Sequence, residues 1–273
     1  YWNIGKVINE NSTWGSKFLN KLSTEISNEF PSAKGFSVRN LKNIARFYRE
    51  YPDIEIVQSV TAQITWTHNI EILRVESKEQ RLWYINKTIE NGWSVNVLAH
   101  QIDTNLYARQ IEQKKVSNFP TNLPSPQSEL ALETMKDPYV FDFIELKEDA
   151  QEKDLEEALI KNITKVLLEF GKGFAYVGHQ YHLEVADEDY YIDLLFYNIK
   201  LKCYVVIELK IGEFKPEYAG KLSFYLTAID EQVKEVNDNP TIGLLLCRHK
   251  NNVVAEYTLR DMNKPMGVSE YRI

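Results

Sequence analysis

Two neighbouring strand-like segments constrain this chain more than any other feature of its sequence. The first is rich in aromatic and branched residues and contains Asp193; the second is almost entirely apolar until it reaches Glu208 and Lys210. Only residues 198–202 separate the segments, and this short connection predicts an antiparallel hairpin. The apolar second segment predicts a buried central strand.

The charged residues of this hairpin are unusual for such a setting. Glu208 and Lys210 are two positions apart, so they share one face of a strand, and Asp193 lies in the partner strand. Burying unpaired charge is costly, so we expect a compensating partner, most simply a metal ion. The alternative is an ordinary ion pair between Glu208 and Lys210 where the strand reaches solvent.

Composition limits the classes of protein to which the chain can belong. Its 273 residues, 44% of them hydrophobic, can form one large or two small domains. It has no apolar run of about 18 residues, so we expect no membrane-spanning helix and no membrane partner. Cys203 and Cys247 lie in apolar segments, which predicts that both are thiols in the core. Free thiols of this kind are typical of the reducing cytoplasm, where we expect the protein. The chain begins without methionine or a signal-peptide pattern, and we expect a fragment.

Charge and composition also divide the chain. The net charge of −7 argues against a general binder of polyanions, but residues 1–120 carry +3 and the remainder carries −10. Helical patterning predicts an all-helical domain over residues 1–116, which is the better candidate to contact nucleic acid. Residues 117–136 contain Pro, Ser and Asn in a pattern that predicts a linker. Residues 137–273 predict a compact α/β domain with a mixed sheet.

One predicted helix in the first domain carries a basic stripe. Ser37 can cap a helix that runs from Val38 to about Glu50 and has an apolar stripe on its other face. The basic residues at helical spacing are Arg39, Lys42, Arg46 and Arg49. A helix, a turn with Gly35 and this second helix are similar to a helix-turn-helix, whose second helix enters the major groove of DNA. The alternative is a solvated or protein-docking face.

The hairpin residues also suit phosphodiester hydrolysis. Asp followed by Glu-x-Lys on adjacent strands, after a helix that carries Glu, is the pattern of PD-(D/E)xK nucleases. This reaction needs a hard cation, and Mg²⁺ prefers one or two carboxylates together with waters and substrate oxygens. Asp193, Glu208 and the carbonyl of Leu209 can supply such ligands, and Lys210 can orient water or stabilise developing charge. We expect Mg²⁺, with Mn²⁺ able to replace it.

Longer blocks of sequence resemble the bacterial YhcG-type family of PD-(D/E)xK nucleases. The resemblance covers nearly the whole chain, and the blocks lie at 35–41, 63–68, 137–143, 173–180, 191–197, 206–210 and 214–222. It implies a restriction-endonuclease-like second domain in which Asp193, Glu208 and Lys210 take the nuclease roles. Ile192 stands where the family name has Pro, at a loosely specified position.

Three further residues are candidates for the same site. Glu156 borders the apolar stripe of the helix before the hairpin and suits the acidic position of related folds; a solvated acid is the alternative. Gln180 suits a contact with substrate or with metal-bound water, or it is simply a polar residue at a strand end. Lys221 shares a helix face with Tyr218 and Tyr225 and can meet a phosphate, unless it is an exposed lysine beside an aromatic stripe.

These observations together predict a cytoplasmic protein of two domains that binds DNA and hydrolyses it with Mg²⁺. Two alternatives stay open at this point. One is a catalytically silent DNA-binding or scaffold protein that keeps the fold, and the other is a nuclease subunit that needs a protein partner or a second copy of itself. Intact Asp193, Glu208 and Lys210 favour the enzyme.

Overall fold

The computed structural model describes residues 1–11, 15–59 and 61–273. The chain divides into two compact units, Tyr1–Tyr107 and Ala108–Ile273. The first unit is helical and the second combines a mixed sheet with helices, which confirms the predicted fold class.

Helices make up most of the described part of the first unit. Those within its described residues are α1 (Trp2–Glu10), α2 (Gly15–Glu29), α3 (Val38–Glu50), α4 (Ile54–Ser59), α5 (Trp66–Ile72), α6 (Lys78–Asn91) and α7 (Val95–Asp103). Hydroxyl side chains accept backbone N–H bonds at the starts of α3, α5, α6 and α7, from Ser37, Thr65, Ser77 and Ser94. Such caps define each helix start locally.

Helix α3 has the amphipathic character that the sequence predicts. Leu41, Ile44 and Phe47 are buried, and the first two pack against Ile8 of α1. The four basic residues on its other side, Arg39, Lys42, Arg46 and Arg49, are exposed. Among the described residues, none of these four side chains forms an ion pair.

The second unit is organised around one mixed sheet. Its strands are β1 (Val116–Ser117), β2 (Tyr139–Val140), β3 (Phe174–Val185), β4 (Glu188–Asn198), β5 (Cys203–Glu213), β6 (Ile242–His249) and β7 (Met266–Arg272). The strand order is β1-β7-β6-β5-β4-β3, and β2 pairs with β7. Strands β3, β4 and β5 are antiparallel neighbours, whereas β6 runs parallel to both β5 and β7.

Helices cover both faces of this sheet. They are α8 (Phe119–Asn122), α9 (Gln127–Thr134), α10 (Glu152–Lys161), α11 (Ile163–Phe170), α12 (Glu217–Gln232) and α13 (Asn252–Arg260). Ile207 and Leu209 pack with α10 and α11 on one face, and Val206 packs with α12 on the other. Strand β5 is therefore buried on both faces, as its apolar sequence predicts.

Residues 117–136, predicted as a linker, are instead folded into the second unit. Phe119 and Met135 are buried in the core against the sheet. The residues that suggest a linker have structural roles, since Pro120 lies in the first turn of α8 and Asn118 donates to the carbonyls of Leu259, Met262 and Lys264. The second unit also begins earlier than predicted, because the first compact unit ends at Tyr107 and β1 pairs with β7.

Two simpler expectations concern cysteines and membrane segments. Cys203 and Cys247 are buried free thiols, as predicted for residues in apolar strands. In the part of the chain that is described, no helix combines the length and apolar character needed to cross a bilayer.

Candidate active site

The candidate site forms where β4 and β5 separate at the end of their pairing. The last pair of the β4–β5 ladder is Leu194 with Ile207. Beyond it, the backbone N–H of Leu209 donates to Oδ2 of Asp193 at 2.8 Å. The Asp193 side chain therefore satisfies a donor on the neighbouring strand and is held beside Glu208.

Glu208 is the most deeply buried charged residue of the site. Its side chain has 0% exposure, and its Oε1 lies 3.0 Å from Nζ of Lys210 and 2.7 Å from Nζ of Lys221. Lys210 follows on the same face of β5, as the two-residue spacing predicts, and Lys221 comes from α12. One carboxylate oxygen thus contacts two cations.

Lys210 is held by three acceptors. Its Nζ lies 3.0 Å from Oε1 of Glu208, and it donates to the carbonyl oxygen of Leu209 at 2.9 Å and to Oε2 of Glu152 at 2.8 Å. The ring of Tyr218 is also close, with its centroid 5.2 Å from Nζ. Glu152 is the first residue of α10, so this ammonium connects the central strand with the helix before the hairpin.

Glu156 and Gln180 meet at a cleft that Asp193 also lines. Gln180 donates from Nε2 to Oε2 of Glu156 at 2.6 Å. A cleft of about 500 Å³ is lined by both residues together with Asp193, Glu152 and His179. The predicted acid on α10 is therefore buried and faces the same open space as the aspartate.

Burial and mutual repulsion determine the electrostatics of these acids. Burial, followed by the negative charge of Glu208, raises the pKa of Asp193 to about 7. Burial also raises the pKa of Glu156, against the opposing effect of the hydrogen bond from Gln180. For Lys210, burial lowers the pKa, but the carboxylates of Glu208 and Glu152 more than offset it, so the pKa is raised. Lys210 is therefore a permanent cation at neutral pH.

Two buried carboxylate oxygens of this site lack a hydrogen-bond partner within the described residues. They are Oε2 of Glu208 and Oε1 of Glu156. Buried acceptors without a hydrogen bond are costly, so these atoms suit an additional cation. No group of three acidic, histidine or cysteine side chains in the described segments is close enough to form a metal site. Mg²⁺ requires only one or two protein carboxylates, so Asp193 and Glu208 with the Leu209 carbonyl fit it.

The predicted residues separate into two groups in the structure. The second unit brings Asp193, Glu208, Leu209, Lys210, Glu156, Gln180 and Lys221 into one connected cluster. The basic residues of α3 belong to the first unit. Lys221 contacts Glu208, and its contact with a phosphate stays a prediction.

Glu152 and His179 are the site residues that sequence reasoning missed. Glu152 precedes Glu156 by one helical turn, so this spacing could have placed both acids on one face of α10. His179 adjoins Gln180 and lines the same cleft.

Comparison with known proteins bears on both units. A family model described as the YhcG PDDEXK nuclease domain matches residues 132–273, and one described as the DUF1016 N-terminal domain matches residues 1–109. The chain is 29% identical to the Escherichia coli (strain K12) protein named "Putative nuclease YhcG", with 100% of this chain and 82% of the relative covered.

Solved structures match a smaller part of the chain. A complex of EndoMS with double-stranded DNA covers 48% of this chain at 18% identity and a TM-score of 0.33. A repair endonuclease from Pyrococcus abyssi covers 46% at 17% identity and a TM-score of 0.30. This chain spans about half the length of these structures, 47% and 48% respectively.

Proposed function

This chain belongs to the YhcG PDDEXK nuclease family, and we propose that its second unit hydrolyses DNA phosphodiester bonds with Mg²⁺. The observation that carries the proposal is the environment of Glu208. Its Oε1 contacts two lysines, whereas its Oε2 is buried without a hydrogen-bond partner, and Glu208 is close enough to Asp193 for its charge to raise the pKa of that carboxyl group. A structural ion pair has no need of such an unsatisfied oxygen, but a cation-binding carboxylate does.

In this proposal the protein holds the cation through few ligands. Asp193, Glu208 and the carbonyl of Leu209 would bind Mg²⁺, and Mn²⁺ would replace it because both ions accept oxygen ligands. When bound, the ion supplies charge neutralisation at the phosphate and makes an attacking water more acidic.

The lysines supply the other positive charges of the site. Lys210 is cationic and fixed by Glu208, so it suits hydrogen bonding to the attacking water or to a phosphate oxygen of the scissile group. Lys221 is partly exposed and reaches Glu208 from α12, so a DNA phosphate can become its second partner. Two positively charged side chains near one phosphate stabilise the negative charge that develops during hydrolysis.

Glu156 and Gln180 act at the cleft side of the site in this proposal. The amide of Gln180 holds one oxygen of Glu156, and the other oxygen is without a partner. Because burial raises the pKa of Glu156, its carboxyl group takes up a proton more readily than an exposed glutamate does, and it suits proton exchange with water. Gln180 orients the carboxyl group and can donate to substrate from the cleft wall.

We further propose that the first unit contributes DNA binding through α3. Arg39, Lys42, Arg46 and Arg49 are exposed and, among the described residues, have no ion pair, so their charges are free to meet phosphates. The connection between α2 and α3 covers residues 30–37, longer than the three or four residues of a helix-turn-helix. The proposal therefore rests on the basic face of α3 and not on that motif.

Two further expectations belong to this proposal. Buried free thiols at Cys203 and Cys247 suit the reducing cytoplasm, where the DNA of a bacterial cell lies. A protein partner or a second copy of the chain is the other expectation.

A cleavage assay with matched variants tests the proposed activity. The purified chain is incubated with linear, circular, branched and single-stranded DNA in Mg²⁺, in Mn²⁺ and in chelator. We expect metal-dependent cleavage that Asp193→Asn and Glu208→Gln each reduce at least about 100-fold, because each removes a charged ligand of the cation. Glu157→Gln removes one acidic charge from the same helix and is the control. Cleavage that persists in chelator, or in both variants, contradicts the proposal.

A further inference from the structure

The ammonium group of Lys210 already has three oxygen atoms within 3.0 Å. Of its three N–H donors, one is donated to the carbonyl of Leu209 and one to Oε2 of Glu152, and Nζ also forms an ion pair with Oε1 of Glu208 at 3.0 Å. The proposed role of Lys210 requires at least one donor to face a phosphate oxygen or the attacking water. One of the three acceptors must therefore be exchangeable.

The three acceptors differ greatly in their freedom to move. Glu208 has 0% side-chain exposure and lies on the central strand, and the Leu209 carbonyl belongs to the backbone of that strand. Glu152 is 47% exposed and is the first residue of α10, where its side chain borders the cleft. Glu152 alone among these acceptors can turn into solvent without exposing buried surface.

We propose that Glu152 is a positioning residue that occupies the place of a DNA phosphate oxygen on Lys210, and that the incoming DNA displaces it. The inference rests on the proposed nuclease function and deepens it. A carboxylate oxygen and a phosphate oxygen are both anionic acceptors of charge-assisted hydrogen bonds, so one can replace the other at the same ammonium. Until DNA arrives, Glu152 holds Lys210 at the cleft and compensates its charge.

This role distinguishes Glu152 from a metal ligand or a general base. Removal of the Glu152 charge leaves one donor of Lys210 free for phosphate, so DNA affinity rises. Removal of an acid that binds the cation or transfers a proton lowers the rate of hydrolysis. Glu157 provides the matched control, since it is an exposed acid on the same helix that lines the same cleft and pairs with Lys153 at 3.9 Å.

The first measurement is the affinity of the full chain for a fluorescent DNA duplex in chelator, where no hydrolysis occurs. We expect Glu152→Gln to bind about 3- to 5-fold more tightly than Glu157→Gln, the effect of a partly exposed ion pair. In a Lys210→Met background this difference should disappear, because the competing ammonium is absent. Equal affinities of the two glutamine variants, or a difference that survives Lys210→Met, overturn the inference. If Lys210→Met does not fold, the comparison of the two glutamine variants decides.

The second measurement separates this inference from the proposed function. In Mg²⁺, Glu152→Gln should lower KM by a similar factor and keep kcat within about threefold of the unmodified chain. A loss of kcat of about 100-fold would assign Glu152 to the chemistry and overturn the inference, while the nuclease proposal would stand. If the unmodified chain binds DNA but does not cleave it, the nuclease proposal fails, and the affinities in chelator still decide the role of Glu152. A chain that does not bind DNA at all contradicts both.

Discussion

Gln180 lies opposite Asp193 in the antiparallel pairing of β3 and β4, between the pairs His179–Leu194 and Tyr181–Ile192. The backbone of Gln180 has a φ of 42°, in the left-handed region that L-residues seldom adopt. This conformation accompanies a hydrogen bond from its amide to Glu156 beside the aspartate. Backbone strain of this kind is concentrated at functional sites, where surrounding structure maintains it.

The strain at Gln180 can be separated from the role of its amide with two substitutions. Gln180→Gly and Gln180→Ala both remove the amide, but only glycine adopts the left-handed backbone without steric cost. We expect Gln180→Gly to unfold at higher urea concentration than Gln180→Ala, by about 1 kcal/mol in the free energy of unfolding. Cleavage should fall equally in both if the amide orients Glu156. Full activity in the glycine variant alone would assign the role to the backbone.

The strand register explains why part of the site could be predicted from sequence. Asp193, Glu208 and Lys210 lie on a hairpin whose two strands are encoded by local patterns of apolar and branched residues. A short connection and a two-residue period then bring the three side chains together without knowledge of the rest of the fold. Glu156 could be placed at the border of the buried face by helical periodicity alone.

The remaining contacts depend on how separate elements pack, which local patterns do not encode. Glu152 is 58 positions from Lys210, and its contact requires the position of α10 against the end of β5. The contact of Lys221 with Glu208 requires α12 to cross the same strand end. Residues 117–136 have the composition of a linker although they are folded, because proline and asparagine occur in helix starts and beside buried carbonyls as readily as in flexible segments.

Lys210 combines a proposed catalytic role with a structural one. Lys210→Met should abolish detectable cleavage and also lower the free energy of unfolding by about 1–3 kcal/mol, because it removes a buried partner of Glu208. Lys221 still contacts Glu208, which limits the loss. Urea unfolding and DNA cleavage measured on the same preparation test both effects. Unchanged stability with lost cleavage would show that the ion pair contributes little to folding.

A buried lysine away from the site predicts a pH dependence of stability. Burial lowers the pKa of Lys136 to about 8, against the opposing effect of Glu169. Between pH 8 and about 10.4, the ordinary value, the unfolded chain binds a proton that the folded chain does not, so stability rises with pH across this window. Relative to Lys136→Met, the native chain should gain on the order of 2 kcal/mol over that range. Urea unfolding at several pH values measures the difference between the two chains.

Lys153→Met is the control for the Lys136 series, since the Lys153 side chain is 82% exposed. Its stability difference from the native chain should not change between pH 8 and 10. A Lys136→Met difference that is equally flat would mean that the ammonium group stays charged in the folded state throughout this range.

The basic face of α3 predicts where salt-dependent DNA affinity originates. Each phosphate contact releases condensed counterions and makes the slope of log K against log salt steeper by about 0.9 on duplex DNA. Arg39→Gln combined with Arg46→Gln should weaken binding and flatten that slope by up to about two units, because both side chains are exposed without an ion pair in the described part of the chain. Lys6→Gln combined with Lys21→Gln removes the same charge from lysines that already have acidic neighbours, and the slope should change less. If the two double variants flatten the slope equally, net charge determines the affinity, and α3 is not the DNA-binding face.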